Sequence, residues 1–274
     1  MDNDKDIIRL LADCSASGRV SYEKVRDLAV KTDIPLANLE KLAMEQGFVP
    51  LRYQRNIGTI TAAEQQVLMN AKVAVIGCGG LGGNVLEQLA RLGVGNILVW
   101  DYDSFEEHNL NRQLLSSLDL IGRSKVDAAS QRVAAINPAI NIIKLAVEFN
   151  RAAGHTILAG YQAVVDALDN IPDRLQLSSL CRDLQIPLVH GAVEGWVGQL
   201  TTQFPGENVI EKIYAKASNS EKRSISTPVF TPALVASLQV SEVIKLLLGR
   251  GELLRNRIML VNLLDMDFDT VEIF

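Results

Sequence analysis

The residues able to do chemistry begin at a glycine loop. Lys72 to Ile76 is a short apolar run leading into Gly77-Cys78-Gly79-Gly80-Leu81-Gly82. Gly77-x-Gly79-x-x-Gly82 between a strand and a helix is the dinucleotide-fold arrangement. Its glycines permit a tight turn and let the backbone approach phosphates at a helix N-terminus. Asp101 closes the next apolar run, nineteen residues beyond Gly82, where a carboxylate can accept hydrogen bonds from ribose hydroxyls. These residues alone say only that a nucleotide binds, and an NAD-dependent oxidoreductase is the default chemistry for such a fingerprint. A Walker A sequence is absent, which argues against a P-loop ATPase.

The loop needs elements to hold it. Lys72 to Ile76 and Asn96 to Asp101 read as buried strands, with a helix over Asn84 to Leu92 between them. A further helix is expected from Lys125 to Ala135, closed by Asn137-Pro138, and another from Asp173 to Leu184. Ile140 to Val147, Ala163 to Ala167 and Pro187 to His190 are strand candidates. Strands alternating with helices predict an α/β fold, a Rossmann-like doubly wound and mostly parallel sheet. Pro232 to Leu248 is a long apolar helix stopped by Gly249. Ile258 to Leu264 and Phe268 to Phe274 read as paired strands around Asp265-Met266-Asp267, a C-terminal antiparallel portion. Glu207 to Ser226 is polar and rich in Ser and Lys, the best candidate for a mobile loop.

Residues 1–50 read as a small helical appendage to a domain over 51–274. Ile7, Ile8, Leu10 and Leu11 share a helical face. Ser21 caps a second helix, and a third follows Pro35 and stops at Gly47. Three short helices suit a DNA-binding unit or a packing module. The absence of a Lys/Arg cluster favours packing.

Composition sets bounds. The chain has 274 residues, 48% hydrophobic and 22% charged, with net charge −5, which fits a soluble domain and argues against nucleic acid as main partner. Aromatics are only 5%, so the core must be aliphatic. Cys14, Cys78 and Cys181 are far apart; no CxxC pair exists, so no zinc is expected, and the pattern fits a reducing cytoplasm. The acidic N-terminus is unlike a signal peptide, and no apolar run reaches the length expected to span a membrane. His108, His155 and His190 lack metal-ligand spacing, which points to local roles.

The residues downstream of the loop change the chemistry. Asp101-Tyr102-Asp103 is followed by Asn109-Leu110-Asn111-Arg112-Gln113, Gly122-Arg123-Ser124-Lys125, Asn137-Pro138 and Asp166-Ala167-Leu168-Asp169-Asn170. With Gly79-Gly80-Leu81-Gly82, with Arg52-Tyr53-Gln54-Arg55 ahead of the first strand, and with Thr231-Pro232 opening the last helix, this ordered set resembles the ThiF/MoeB/HesA family, bacterial relatives of ubiquitin-activating enzymes. The match runs from about residue 51 to 274.

The resemblance implies ATP binding and adenylation of the C-terminal glycine carboxylate of a small ubiquitin-like sulfur-carrier protein ending in Gly-Gly. Joining a carboxylate to an α-phosphate requires positive charge, which Arg112 and Lys125 supply. By resemblance Asp169 holds magnesium, Asp101 the ribose, and Asn109 and Gln113 orient phosphates or the attacking carboxylate. Asp103 and Asn170 are counted with the nucleotide contacts. Arg55, with Arg52 as alternative, resembles an arginine inserted from the partner subunit of a homodimer.

Two departures limit the expectation. The zinc-binding CxxC pairs of many members are missing, as is the crossover cysteine; that stretch reads Arg223-Ser224-Ile225-Ser226-Thr227-Pro228. An enzyme that stops at the acyl-adenylate, with a separate sulfur donor, is therefore expected. The alternatives are an ATP-dependent dehydratase acting on modified tRNA and a non-catalytic partner subunit that keeps the fold.

Overall fold

The computed structural model describes residues 3–215 and 226–273. At the N-terminus, α1 (Asn3–Cys14), α2 (Tyr22–Thr32) and α3 (Leu36–Glu45) fold around a small core of their own, in which Ile7, Leu11, Val25, Leu28 and Leu39 are buried. Two short strands, β1 (Arg19–Val20) and β2 (Val49–Pro50), pair in parallel across its base. Ser21 caps α2 by accepting from the Lys24 N–H.

α4 (Ala62–Asn70) follows, a helix the hydrophobic pattern does not predict. Its signal is the Thr61-x-x-Glu64 capping box: Thr61 accepts from the Glu64 N–H at 3.2 Å, and the Glu64 carboxylate accepts from the Thr61 N–H at 2.7 Å. The chain then alternates, as expected except for α7, a short helix capped by Asn150 that was not foreseen: β3 (Lys72–Ile76), α5 (Gly80–Leu92), β4 (Asn96–Trp100), α6 (Lys125–Ile136), β5 (Asn141–Leu145), α7 (Arg151–Ile157), β6 (Ala163–Asp166), α8 (Ile171–Asp183), β7 (Leu188–Glu194). β8 (Val197–Gln203), α9 (Val209–Tyr214), α10 (Phe230–Leu248), β9 (Arg257–Asn262) and β10 (Asp267–Glu272) complete it.

The eight-stranded sheet runs β10-β9-β8-β7-β6-β3-β4-β5, parallel from β7 to β5 and antiparallel from β7 to β10. Both faces are covered, which explains why β3, β4 and β6 are continuously apolar rather than alternating. Val73 and Val75 pack with α5, α6 and α10 on one face, and Ala74 and Ile76 with α8 and α9 on the other.

Three expectations change. β7 continues beyond His190 to Glu194 because β8 hydrogen-bonds along its whole length, a strand not foreseen. Within Glu207 to Ser226, expected to be a loop, Val209–Tyr214 is a helix that buries Val209 and Ile210; residues 216–225 lie outside the described residues. α10 is, by length and mean hydropathy of 1.4, long and apolar enough to cross a membrane, contrary to expectation. Here it packs against α5 and the sheet, with Val235, Ala236, Val240 and Val243 buried.

Candidate active site

The winding of the sheet sets the place. Strands β4 and β5 lie on one side of β3, and β6 and β7 on the other, so a crevice opens beyond the carboxyl ends of β3 and β6. Ile76 is in register with Asp166, and the Ala167 N–H donates to the Ile76 carbonyl at 2.9 Å. Gly77, next along, has φ of +96°, and a Cβ there would stand 2.4 Å from the Ala167 oxygen. A Cβ on Gly82 would stand 2.0 Å from the Gly77 oxygen. Both positions admit only glycine. α5 begins at Gly80 with Gly79 before it and no side-chain cap, which leaves its first N–H groups for an anion.

Asp101 supports the loop from β4. Its Oδ2 accepts from the Cys78 N–H at 2.6 Å and its Oδ1 from the Asp103 N–H at 2.8 Å. Burial holds this carboxyl above the usual carboxylate range, opposed by those N–H groups and by Lys125. Each oxygen retains a second lone pair for a ribose hydroxyl. Lys125, at the start of α6, is 5% exposed; its Nζ lies 2.8 Å from Asp103 Oδ2, and its N–H donates to the Asp103 carbonyl at 3.0 Å.

Gln113 and Arg112 come from the turn that follows Glu107–Asn109. Buried Asn109 accepts from the Glu106 N–H through its side-chain oxygen at 3.0 Å, and its carbonyl accepts from the Gln113 N–H at 2.9 Å. Asn109 is thus the brace of the turn. Gln113 is buried with its Nε2 3.7 Å from the Cβ position of Gly79, and its Oε1 has no partner. Arg112 is half-buried and donates to the His108 carbonyl at 3.1 Å and to Asn111 Oδ1 at 2.8 Å.

Across the crevice, Leu168 and Asp169 follow β6. Asp169 is exposed, and among the described residues its hydrogen-bond partner is Asn170 Nδ2 at 3.4 Å. Asn170 caps α8, accepting from the Asp173 N–H at 2.9 Å and donating to the Asp173 carboxylate at 2.8 Å. The Tyr102 phenol is pushed up chiefly by Asp103, with Glu148, Asp169 and Asp101 adding to it. The carboxylates from the ends of β4 and β6 therefore share one negative field.

Arg55 is exposed and without a partner among the described residues. Arg52, its alternative, is committed elsewhere: it donates to buried Glu40 at 2.6 Å and to Asn137 Oδ1 at 3.0 Å. Its charge clamps the helical appendage to the main domain. Burial pushes the Glu40 carboxyl up, and Arg52 pulls it back.

Sequence spacing misses a second polar cluster behind the site. Asp166, His190, Arg174 and Tyr214 come from four elements, so no local motif marks them. Asp166 Oδ2 lies 2.6 Å from His190 Nδ1, both fully buried. The cysteines are inert by environment: Cys78 and Cys181 are buried, and burial pushes both thiols far above their usual range. Among the described residues no group of three His, Cys, Asp or Glu side chains forms a metal cage. One exposed carboxylate, Asp169, in an acidic field fits a magnesium ion held mainly by phosphates and waters. The glycine cradle with the unpaired Gln113 carbonyl beside it fits a nucleotide.

Residues 53–274 match the ThiF family. A SAMP-activating enzyme E1 of Haloferax volcanii is 35% identical over 226 residues, covering 80% of this chain and 84% of that protein. A sulfur carrier protein adenylyltransferase of Thermus thermophilus is 33% identical over 214 residues, covering 74% and 79%. Among solved structures, E. coli MccB with AMPCPP and MccA superposes with a TM-score of 0.71 over 98% of this chain and 87% of that one, at 22% identity. That likeness concerns the fold, and it takes in the N-terminal helices.

Proposed function

This chain belongs to the ThiF family, and from that premise we propose that it binds ATP between β3 and β6 and transfers AMP to the C-terminal glycine carboxylate of a small ubiquitin-like sulfur-carrier protein. The observation that carries the proposal is the meeting of Asp101, Gln113 and buried Lys125, paired with half-exposed Asp103, on one glycine cradle. The names of the two relatives, an E1 and a sulfur carrier adenylyltransferase, support the reaction class.

The residues divide the work as follows. Asp101 holds the ribose with the lone pairs its backbone donors leave free. The uncapped N-terminus of α5 receives phosphate. Lys125 supplies a positive charge that is already desolvated and already aimed, which strengthens it in the crevice. Gln113 presents its amide beside Gly79, where a phosphate or the attacking carboxylate must pass. Arg112 adds a half-buried cation at the rim for the departing pyrophosphate. Asp169 would hold magnesium, which supplies charge neutralisation on the phosphates when bound. Arg55, unpartnered in one chain, is assigned to the neighbouring site of a homodimer.

Transfer chemistry beyond adenylation needs a thiolate. Cys78 and Cys181 are buried and hold their protons, and Cys14 lies on α1 of the appendage. We therefore assign the acyl-adenylate as the end product and leave sulfur delivery to a separate donor in a reducing cytoplasm. The test is carrier-dependent ATP–pyrophosphate exchange, with a small protein ending in Gly-Gly as substrate. Exchange unchanged by Lys125→Ala or Asp169→Ala would overturn the reading.

A further inference from the structure

The polar cluster behind the crevice joins the end of α9 to the end of β6. Asp166, at the end of β6, accepts from the Leu168 N–H through Oδ1 at 3.0 Å and meets His190 Nδ1 through Oδ2 at 2.6 Å. Arg174, on α8, donates to the Leu168 carbonyl from Nε at 3.2 Å and also from NH2. Both polar groups of Leu168 are thus held, and Leu168 directly precedes Asp169.

The cluster closes on one hydroxyl. Tyr214, the last residue of α9, accepts from Arg174 NH1 at 2.6 Å and from Gln199 Nε2 at 3.1 Å, and its oxygen lies 3.2 Å from His190 Nε2. With a neutral imidazole, Asp166 accepts from Nδ1–H, so Nε2 is an acceptor that the Tyr214 hydroxyl reaches as donor, with Gln199 Nε2 also 3.3 Å from it. Each remaining lone pair on the hydroxyl then faces a donor. The ring adds an edge-on contact with His190 at 5.7 Å and lies 5.7 Å from the Arg174 guanidinium.

We infer that Tyr214 is a positioning residue: through Arg174, His190 and Asp166 it fixes the Leu168 peptide, sets the Asp169 carboxylate and couples the end of α9 to the nucleotide crevice. The inference rests on the adenylation reading only for the meaning of Asp169. The structural coupling stands apart from it.

Tyr214→Phe keeps the ring and removes the hydroxyl. In the unliganded protein, hydrogen exchange at the Leu168 and Asp169 amides should accelerate by about tenfold, while the amides of Leu177 and Leu180 in α8 stay as in wild type. In ATP–pyrophosphate exchange, the magnesium concentration for half-maximal rate should rise by about tenfold, with KM for the carrier unchanged. His190→Asn retains a donor toward Asp166 but loses the link to Tyr214. It should reproduce both effects, and the double variant should be no worse than either single one, as expected of groups acting in one chain. Wild-type exchange at Leu168 and wild-type magnesium dependence in Tyr214→Phe would overturn the inference. So would additive effects in the double variant. A wild-type enzyme inactive with every carrier would sink the adenylation reading, while the amide-exchange arm would still decide the coupling.

Discussion

Arg52 and Arg55 stand three residues apart and have opposite environments. Arg52 lies between buried Glu40 and Asn137, its charge spent on joining two parts of the molecule. Arg55 is exposed and has no partner among the described residues. The crevice repeats the contrast: Lys125 is buried against Asp103, whereas among the described residues half-buried Arg112 bonds within its own turn. A buried cation must have its counter-charge in place before any ligand arrives, because desolvation without a partner is costly. An exposed cation is free to wait in water. The inner cation of each contrast is therefore fixed by the fold, and the outer one has no carboxylate partner among the described residues.

The largest expected effect tests the inner members for stability. Arg52→Ala strands the Glu40 carboxylate in the interior, and breaking such a pair costs about 3–5 kcal/mol. Arg55→Ala should stay within about 0.5 kcal/mol of wild type, as surface changes do. Urea unfolding of both variants makes the measurement. Equal losses would erase the contrast.

Activity comes next. Lys125→Ala should lower ATP–pyrophosphate exchange by about 10² to 10³, the usual cost of removing one fixed donor from a charge-stabilising site. Arg112→Ala, at the half-buried rim, should cost about tenfold, and Arg112→Lys should recover part of it by restoring charge without the planar fork. If Arg112→Ala proves the more damaging of the two, the rim rather than the inner wall carries the chemistry.

Arg55 sharpens the same point. Mixing inactive Arg55→Ala with inactive Lys125→Ala should restore about a quarter of wild-type exchange, because half the dimers are mixed and each holds one intact site. No recovery would place Arg55 in its own chain's site.

How legible all this was in the sequence follows the same division. Gly77 and Gly82 are constrained by contacts within a few residues and their neighbouring strands, so spacing reveals them. The parallel half of the sheet is also legible, since a strand covered on both faces must be apolar throughout, as Lys72 to Ile76 nearly is. β8 escaped because its partner contacts are long-range and its residues, Val-Gly-Gln-Leu-Thr-Thr-Gln, mix polar and apolar at a site where Thr201 and Thr202 are buried but hydrogen-bonded. α4 carried its signal openly in Thr61 and Glu64 but lacks a one-sided apolar face. Arg52 and Arg55 are alike as letters in a row. Only Glu40, brought in by the fold of the appendage, separates them. His190 lacked ligand spacing, and its partners are supplied by β6, α8, β8 and α9 rather than by its neighbours in sequence.

That buried histidine gives the smallest effect and the cleanest sign. Burial lowers the His190 pKa below its ordinary 6.5, against a smaller raising effect from Asp166; Arg174 lowers it slightly further, and Tyr214 and Gln199 close the remaining sides. The folded protein then binds fewer protons here than the unfolded chain. The stabilising contribution is complete above pH 6.5 and is lost as pH falls from there toward the depressed folded value. The slope cannot exceed about 1.4 kcal/mol per pH unit for one group. His190→Asn, which cannot titrate, should flatten the decline in Tm between neutral pH and mildly acidic pH. A wild-type decline that persists in His190→Asn would assign the acid sensitivity to other groups. It would leave the Asp166–His190 contact as a packing feature with no part in the pH response.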